Sequence, residues 1–330
     1  MPRPILFVVG QSATVAYLAP VWRRWLRRGQ PVSWRVLAGP AAAQRIEYEK
    51  LDGLPWTAIE SDSAIELQRG LGGWKPECLV MSASFAPVER AAVLFAEQYA
   101  IPVARIIDTW YGYRRRLLWS GDHLRLPDRL LLIDDAARVE AVAEGIPEKI
   151  IEVVGQPAWE NVGRFPPGDR RDVLFVSQPI ERFYGESLGY TEKTVWQLFS
   201  ETVRAYPELF RKVYYAAHPD DDMLPPDDSH VTVVDSGLLT LPKVGAVVGM
   251  FSSLVTDALL SGRHVVSFQP GALGRDMCAM GRTGLVPRAM TKGELAEALR
   301  QPAPDAELLR SALHGSTDRV EAFCITTFCS

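Results

Sequence analysis

Residues 246–268 read AVVGMFSSLVTDALLSGRHVVSF, and this stretch decides the fold that the sequence predicts. Ala246 to Val248 is an apolar run typical of a buried strand, and a helix follows the two serines and extends through Leu260. Gly262 ends that helix, and Val265 to Phe268 is a second buried strand. A strand, a helix and a strand in this order indicate a parallel sheet covered on both faces.

The same alternation begins near the N-terminus. Ile5 to Val9 is a continuous apolar run that ends at Gly10, and apolar residues then recur at helical spacing up to Gly29. Pro87 to Tyr99 has the length of a helix. Further strands are predicted at Val32 to Leu37, Cys78 to Met81, Val103 to Ile107, Arg129 to Ile133 and Ile150 to Val154.

A segment rich in proline, glycine and charge, Arg164 to Arg171, interrupts the pattern and is the best linker in the chain. Beyond it the alternation starts afresh, with predicted strands at Val173 to Val176, Val213 to Ala216 and Val231 to Val234, and a helix at Thr191 to Arg204. The sequence therefore predicts an α/β protein with two Rossmann-like, doubly wound domains, residues 1–163 and 164–330, and a cleft between them.

Composition narrows the classes of partner. The chain has 330 residues, 23% of them charged, and a net charge of only −4, so no broad basic surface is predicted and a nucleic-acid partner is disfavoured. No run approaches the roughly 20 apolar residues of a transmembrane helix, so any membrane contact is expected to be peripheral. The four cysteines have no zinc-ligand spacing and are predicted to be reduced thiols in a cytoplasmic protein.

Ser252 and Ser253 are the first candidate site residues, because they stand where a buried strand passes into a helix. Hydroxyls, free backbone N–H groups and the positive end of a helix dipole together suit a phosphate group. Simple helix capping is an equally weighted alternative, since serine is a preferred N-cap residue. Asp257 follows one turn later and could accept hydrogen bonds from a ribose or merely complement the dipole.

His218 and Pro219 follow the strand that ends near Ala217. The proline restricts His218 to an extended conformation, and a histidine there can donate to a phosphate or leaving-group oxygen. A plain surface histidine is the alternative. Ser177 and Gln178 follow the strand Val173 to Val176 and are expected at the same sheet edge. The acidic run 220–222 is interpreted as a solvated loop, and no metal site is predicted.

Asp108 ends the strand Val103 to Ile107 and is the candidate general base for an incoming hydroxyl. Capping of the next helix is the alternative interpretation. The basic cluster Arg114 to Arg116 could bind an acidic acceptor or a phosphate, although a charged helix face is favoured. No dinucleotide-binding or P-loop glycine pattern occurs, so neither a nicotinamide cofactor nor a P-loop NTPase is supported, and no cofactor is expected.

The C-terminal half resembles the GT-B glycosyltransferases, particularly bacterial sialyltransferases, polysialyltransferases and CDP-glycerol glycerophosphotransferases. The resemblance rests on His218-Pro219 followed by Ser252-Ser253, because both pairs contact the phosphate or nucleotide of the donor in those families. Residues 127–157 are similar to their interdomain crossing. The acid-acid-Gly motif of sialyltransferases has no clean counterpart, so Asp108 is assigned as base by position. Asp257 stands where many related enzymes carry glutamate.

The resemblance implies a metal-independent transferase that moves a sugar from a nucleotide-activated donor to an acceptor hydroxyl in cell-surface polysaccharide or glycoconjugate assembly. CMP- and CDP-linked donors are candidates. Ser252 and Ser253 would hold the donor phosphate, His218 would stabilise or protonate the departing oxygen, and Asp108 would deprotonate the acceptor.

Two alternatives remain open. A non-hydrolysing nucleotide-sugar 2-epimerase or a nucleotide-sugar hydrolase shares this fold and a similar His-Pro element, but the Gly-Thr-Arg-Pro-Glu start and Ser-Gly-Gly loop of the epimerases are missing. A non-catalytic two-domain binding protein of the periplasmic type would be expected to carry a signal peptide, and none is visible.

Overall fold

The chain divides into two compact units. The structure, a computed structural model, describes residues 3–29, 32–218 and 230–328. Unit 1 comprises Met1–Asn161 and Ala312–Ser330, and unit 2 comprises Val162–Ser311. The predicted boundary lay between residues 163 and 164 and gave the whole remainder to the second domain. In the structure the segment from Ala312 onward instead groups with unit 1.

Unit 1 is built on a seven-stranded parallel sheet in the order β3-β2-β1-β4-β5-β8-β9, and β6 and β7 form a separate antiparallel hairpin. The strands are β1 (Ile5–Val9), β2 (Trp34–Ala38), β3 (Trp56–Ala58), β4 (Cys78–Ser82), β5 (Val103–Ile106), β6 (Leu118–Ser120), β7 (His123–Leu124), β8 (Arg129–Leu132) and β9 (Ile151–Val153).

Helices cover both faces of this sheet, so β1 is buried along its whole length. Its alternate residues enter two different cores: Phe7 packs against Trp22 and Trp25 on one face, and Leu6 and Val8 pack towards Val88 on the other. The helices are α1 (Ser12–Arg28), α2 (Pro40–Tyr48), α3 (Ala64–Gly70), α4 (Pro87–Tyr99), α5 (Tyr113–Arg116), α6 (Asp135–Ala143) and α7 (Pro157–Glu160).

Unit 2 is built on a six-stranded parallel sheet in the order β12-β11-β10-β13-β14-β15. Its strands are β10 (Asp172–Val176), β11 (Lys212–Ala216), β12 (Val231–Val234), β13 (Ala246–Gly249), β14 (His264–Phe268) and β15 (Arg288–Ala289). Its helices are α8 (Ile180–Tyr184), α9 (Glu192–Ala205), α10 (Gly237–Thr240), α11 (Ser253–Leu260), α12 (Ala279–Arg282) and α13 (Lys292–Arg300), and α14 (Glu307–Leu313) spans the boundary with unit 1. In the core of unit 2, the ring centroids of Phe175 in β10 and Phe199 in α9 lie 4.8 Å apart.

The chain returns to unit 1 through α15 (Ser316–Ala322). The carboxylate of Glu160 in α7 accepts hydrogen bonds from the backbone N–H groups of Gly315, at 2.6 Å, and Thr317, at 2.9 Å. Val320 and Phe323 then enter the same core as Phe7. The last segment is therefore part of the hydrophobic interior of unit 1.

The prediction of an α/β chain with two parallel-sheet domains is confirmed. The expectation of four reduced thiols is wrong for Cys78, which is disulfide-bonded, whereas Cys278 and Cys324 are free and buried. A thiol count and spacing carry no information on which sulfur atoms the fold brings together. Within the described residues, no helix combines the length and apolarity needed to cross a membrane.

Candidate functional site

The strand order of unit 2 reverses between β10 and β13, which lie side by side at the centre of the sheet. From β10 the chain proceeds outward through β11 and β12, and from β13 it proceeds outward on the other side. In open parallel sheets such a reversal leaves a crevice beyond the carboxyl ends of the two strands, where ligands bind. Ser177 and Gln178 follow β10, and Ser252 and Ser253 follow β13.

Gln178 joins the two loops at this crevice. Its side chain is buried, and its amide oxygen accepts the backbone N–H of Phe251 at 2.7 Å. Ser177, also buried, donates its backbone N–H to the Ala216 carbonyl oxygen of β11 at 2.9 Å. Gln178 therefore fixes the chain just before Ser252 and positions the start of α11.

The two serines differ in their surroundings. Ser252 is the N-cap of α11, and its hydroxyl oxygen accepts the Leu254 N–H at 3.3 Å, as the capping interpretation expects. Ser253 is the first residue of the helix, and its exposed side chain makes no hydrogen bond within the described residues. Asp257 lies one turn further along and is half-buried. The Ser253 hydroxyl is thus the one available to a bound molecule.

His218 lies two residues beyond β11 and is half-buried. Because β11 is the neighbour of β10, the loops that carry His218, Ser177 and Ser252 follow three adjacent strands in the order β11, β10, β13. The sheet thus brings the histidine and serine loops to the same side, beyond the carboxyl ends of its strands. The roles of these residues remain predictions. Pro219 lies outside the described residues.

Sequence reasoning missed a buried polar network at the end of the next strand, β14. Gln269 is fully buried, donates to the Ser267 hydroxyl at 2.8 Å and accepts the phenol proton of Tyr190 at 3.3 Å. Ser267 in turn donates to the Met250 carbonyl oxygen at 2.6 Å. Burial raises the pKa of Tyr190, so its phenol remains a hydrogen-bond donor at neutral pH. Through the hydrogen bond from Ser267 to Met250, this network stabilises the loop between β13 and α11.

Arg288 stands beside that network, because it is the register partner of Ser267 on β15. Its Nε and one terminal nitrogen are buried and have no hydrogen-bond partner within the described residues. The charge of Arg288 lowers the pKa of Tyr190 and so opposes the larger effect of burial. The only sequence signal for Arg288 was a charged residue in an otherwise apolar stretch.

In unit 1, Asp108 follows β5 and is only 6% exposed. A terminal nitrogen of Arg116 lies 3.9 Å from its Oδ1. Burial raises the pKa of Asp108, and Arg116 opposes that rise. The helix-capping alternative is wrong, because α5 begins at Tyr113 with Gly112 as its N-cap. The prediction that Arg114 to Arg116 form a charged helix face is correct for Arg114 and Arg115, which are exposed. Arg116 is instead half-buried beside Asp108.

The strand order of unit 1 also reverses, between β1 and β4, but the chain's own atoms fill the crevice beyond these strands. The carboxylate of Glu89, 1% exposed, accepts the backbone N–H groups of Gly10 at 2.9 Å and Ser84 at 2.8 Å, and the hydroxyl of Ser82. A Cβ on Gly10 would lie 2.2 Å from the Cβ of Ala86, so this loop needs glycine. The chain's own carboxylate thus takes the N–H groups that a ligand would otherwise use.

Comparison with solved structures shows proteins of the same fold along nearly the whole chain. A UDP-GlcNAc 2-epimerase from Neisseria meningitidis, bound to UDP-GlcNAc, is 13% identical with a TM-score of 0.67, over 96% of this chain and 98% of that one. The glycotransferase of kitacinnamycin is 18% identical with a TM-score of 0.57, over 98% and 96%. An Anabaena protein in complex with UDP-glucose is 10% identical with a TM-score of 0.57, over 99% and 95%.

No protein-family model matches the chain, and no curated protein matches it significantly. At these identities the solved structures establish a shared fold, the two-domain α/β architecture of epimerases and glycosyltransferases.

Proposed function

We propose that the chain is an enzyme that binds a nucleotide-activated sugar at the β10–β13 crevice of unit 2 and transfers the sugar to an acceptor hydroxyl. The observation that carries the proposal is the exposed Ser253 hydroxyl at the N-terminus of α11, at a strand-order reversal, with Gln178 holding the preceding residue. Solved neighbours of this fold bind UDP-GlcNAc and UDP-glucose, which supports the same class of ligand.

The proposed roles follow from the chemistry at that edge. Backbone N–H groups of α11 and the Ser253 hydroxyl donate to the donor phosphates, where the helix dipole adds a favourable field. His218 donates to the oxygen that departs with the phosphate and acts as its proton donor. Asp257 is the proposed partner of the ribose hydroxyls. No metal ion is required by this scheme, because these donors stabilise the developing charge.

For the acceptor side we propose Asp108 as the general base. Burial raises the pKa of its carboxyl group and so increases its basicity towards a hydroxyl proton. Arg116 keeps the ionised form accessible.

A second candidate function is epimerisation of a nucleotide sugar. It is favoured by the neighbours with TM-scores of 0.67 and 0.64, both UDP-GlcNAc 2-epimerases, against 0.57 for the kitacinnamycin glycotransferase. Incubation of the protein with UDP-N-acetylglucosamine alone separates the two candidates, because only an epimerase isomerises the sugar without an acceptor.

Calorimetric titration with UDP, CMP and CDP tests the binding site. We expect one of these nucleotides to bind, and Ser253→Ala to weaken it about five- to tenfold through the lost hydrogen bond to phosphate. Ser261→Ala is the matched control, since Ser261 lies at the opposite end of α11 and its buried hydroxyl donates to the Ala258 carbonyl oxygen. It should destabilise the protein without changing nucleotide affinity.

Failure of all three nucleotides to bind a folded protein would remove the proposal. Nucleotide binding without turnover of any UDP- or CMP-linked sugar would favour the non-catalytic binding protein instead.

A further inference from the structure

Unit 1 contains a cavity of about 360 Å³ on the α4 face of its sheet. It lies between the C-terminal end of α4, the start of β5 and residues 125–128, which lead from the β6–β7 hairpin to β8. Its volume falls in the range of small-molecule pockets. Neither Asp108 nor any residue of the β10–β13 crevice lines it.

Arg105 of β5 lines the cavity and is 5% exposed. Its Nε is buried without a hydrogen-bond partner within the described residues, and one terminal nitrogen reaches only the Ser84 carbonyl oxygen, at 3.4 Å. Glu89 attracts it through space, but the Glu89 oxygens accept hydrogen bonds from Gly10, Ser82 and Ser84. A buried guanidinium has five N–H donors and is costly to leave without acceptors.

A second arginine lines the same cavity. Arg125 has a buried terminal nitrogen without a partner among the described residues, its Nε lies 3.2 Å from Glu97, and its guanidinium lies over the Trp119 ring at 3.8 Å. The Asp128 carboxylate already accepts the Val103 N–H at 2.8 Å. Glu97 thus pairs with Arg125 and Asp128 accepts one N–H, whereas each arginine keeps a buried nitrogen without an acceptor among the described residues.

The rest of the wall is apolar, and its hydrocarbon side chains suit a ligand with a compact apolar body. They are Val93, Ala96, Ile101, Pro102, Leu126 and Pro127.

We propose that this cavity is a binding site for a small organic carboxylate, whose anionic end accepts hydrogen bonds from Arg105 and Arg125 and whose apolar body packs against the surrounding side chains. Guanidinium groups match the two oxygens of a carboxylate, and the apolar wall favours an organic acid over an inorganic anion. The inference stands on unit 1 alone and does not depend on the nucleotide site.

Titration of the full chain with benzoate, benzyl alcohol and inorganic phosphate, followed by ligand-observed NMR, tests the proposal. We expect benzoate to bind at least about tenfold more tightly than benzyl alcohol or phosphate, because only benzoate combines an anionic end with an apolar body. Arg105→Gln should abolish this preference. The matched control is Arg138→Gln, since Arg138 pairs with Asp135 on α6 and does not line the cavity.

If Arg105→Gln does not fold, Arg125→Gln provides a second variant, and it should also weaken benzoate binding. Equal binding of benzoate and benzyl alcohol, or parent-level binding in both arginine variants, would overturn the proposal. Competition between benzoate and UDP would place benzoate in unit 2 and overturn it as well.

Discussion

Asp108 is an acidic side chain that the fold keeps away from water, and a terminal nitrogen of Arg116 lies 3.9 Å from it. Desolvation destabilises the charged form of a carboxyl group, and here that effect exceeds the attraction to Arg116, so the pKa is raised. The folded state therefore retains the Asp108 proton at a pH where the unfolded chain has already lost it. The stability that Asp108 contributes is present in acid and is lost as the pH rises through its folded-state pKa.

The first prediction concerns Asp108→Asn, which removes this titration. As the pH rises from the ordinary aspartate pKa of 3.8 through the raised folded-state pKa, the parent should lose stability relative to the variant, by about 1.4 kcal/mol for each unit by which the pKa is raised. Urea unfolding at several pH values measures the difference. Asp52→Asn, a change at an exposed carboxylate, is the matched control. A difference between parent and Asp108→Asn that is independent of pH would contradict the raised pKa.

At the residue scale, sequence reasoning could find only those site residues whose position follows from local pattern. Ser252, Ser253 and His218 stand out because polar side chains directly follow apolar strands. Glu89, Arg105 and Gln269 do not, since their significance comes from burial and from partners remote in the chain. Gly10 and Glu89, for example, are 79 positions apart.

At the scale of elements, β13 approaches the segment before β10 without space for a side chain. A Cβ on Gly245, just before β13, would lie 2.4 Å from the backbone carbonyl atoms of Asp169. Backbone atoms cannot move aside as the end of a flexible side chain can. The close approach therefore fixes β13, and with it the serines that follow.

The second prediction is that Gly245→Ala lowers the free energy of unfolding by about 1–3 kcal/mol, because one of the two segments must shift. Gly293→Ala is the matched control, since Gly293 lies in α13 and its Cβ would meet only the Thr291 hydroxyl, at 4.0 Å. That change should leave stability equal or slightly higher. Thermal or denaturant unfolding compares the two, and equal stability of both variants would show that the 2.4 Å contact can relax.

Strands in the centre of each sheet were predictable, whereas two of the four edge strands, β3 and β15, were not. β1, β4 and β10 are buried along their whole lengths and appear in the sequence as apolar runs, except for Ser82 at the end of β4 and Asp172 at the start of β10. β3 has three half-exposed or exposed residues and β15 has two residues, so neither produces such a run. Their existence depends on a neighbouring strand that supplies hydrogen-bond partners, which a single segment of sequence does not reveal.

At the scale of the whole molecule, the chain forms two compact units, each with its own sheet and core. The boundary near residue 162 was visible in the sequence as a segment rich in breakers. The return of the chain at Ala312 was not, because the contact that anchors it, between Glu160 and Thr317, joins residues 157 positions apart.

The third prediction is that calorimetry resolves two unfolding transitions, each sensitive to a different variant. Gly245→Ala should lower the transition of unit 2, and Glu160→Gln, which weakens the anchor of α15, should lower that of unit 1. A nucleotide bound at the β10–β13 crevice should raise the transition that Gly245→Ala lowers. A single transition that both variants shift equally would show that the units unfold together.

The discontinuity of unit 1 has a consequence for protein synthesis. The ribosome releases residues 1–161 first, yet the helix carrying Val320, which completes their core, emerges only after all of unit 2. Unit 1 can therefore complete its core only after the whole of unit 2 has been synthesised. Until then we expect the apolar surface that Val320 and Phe323 cover to be accessible to chaperones and proteases.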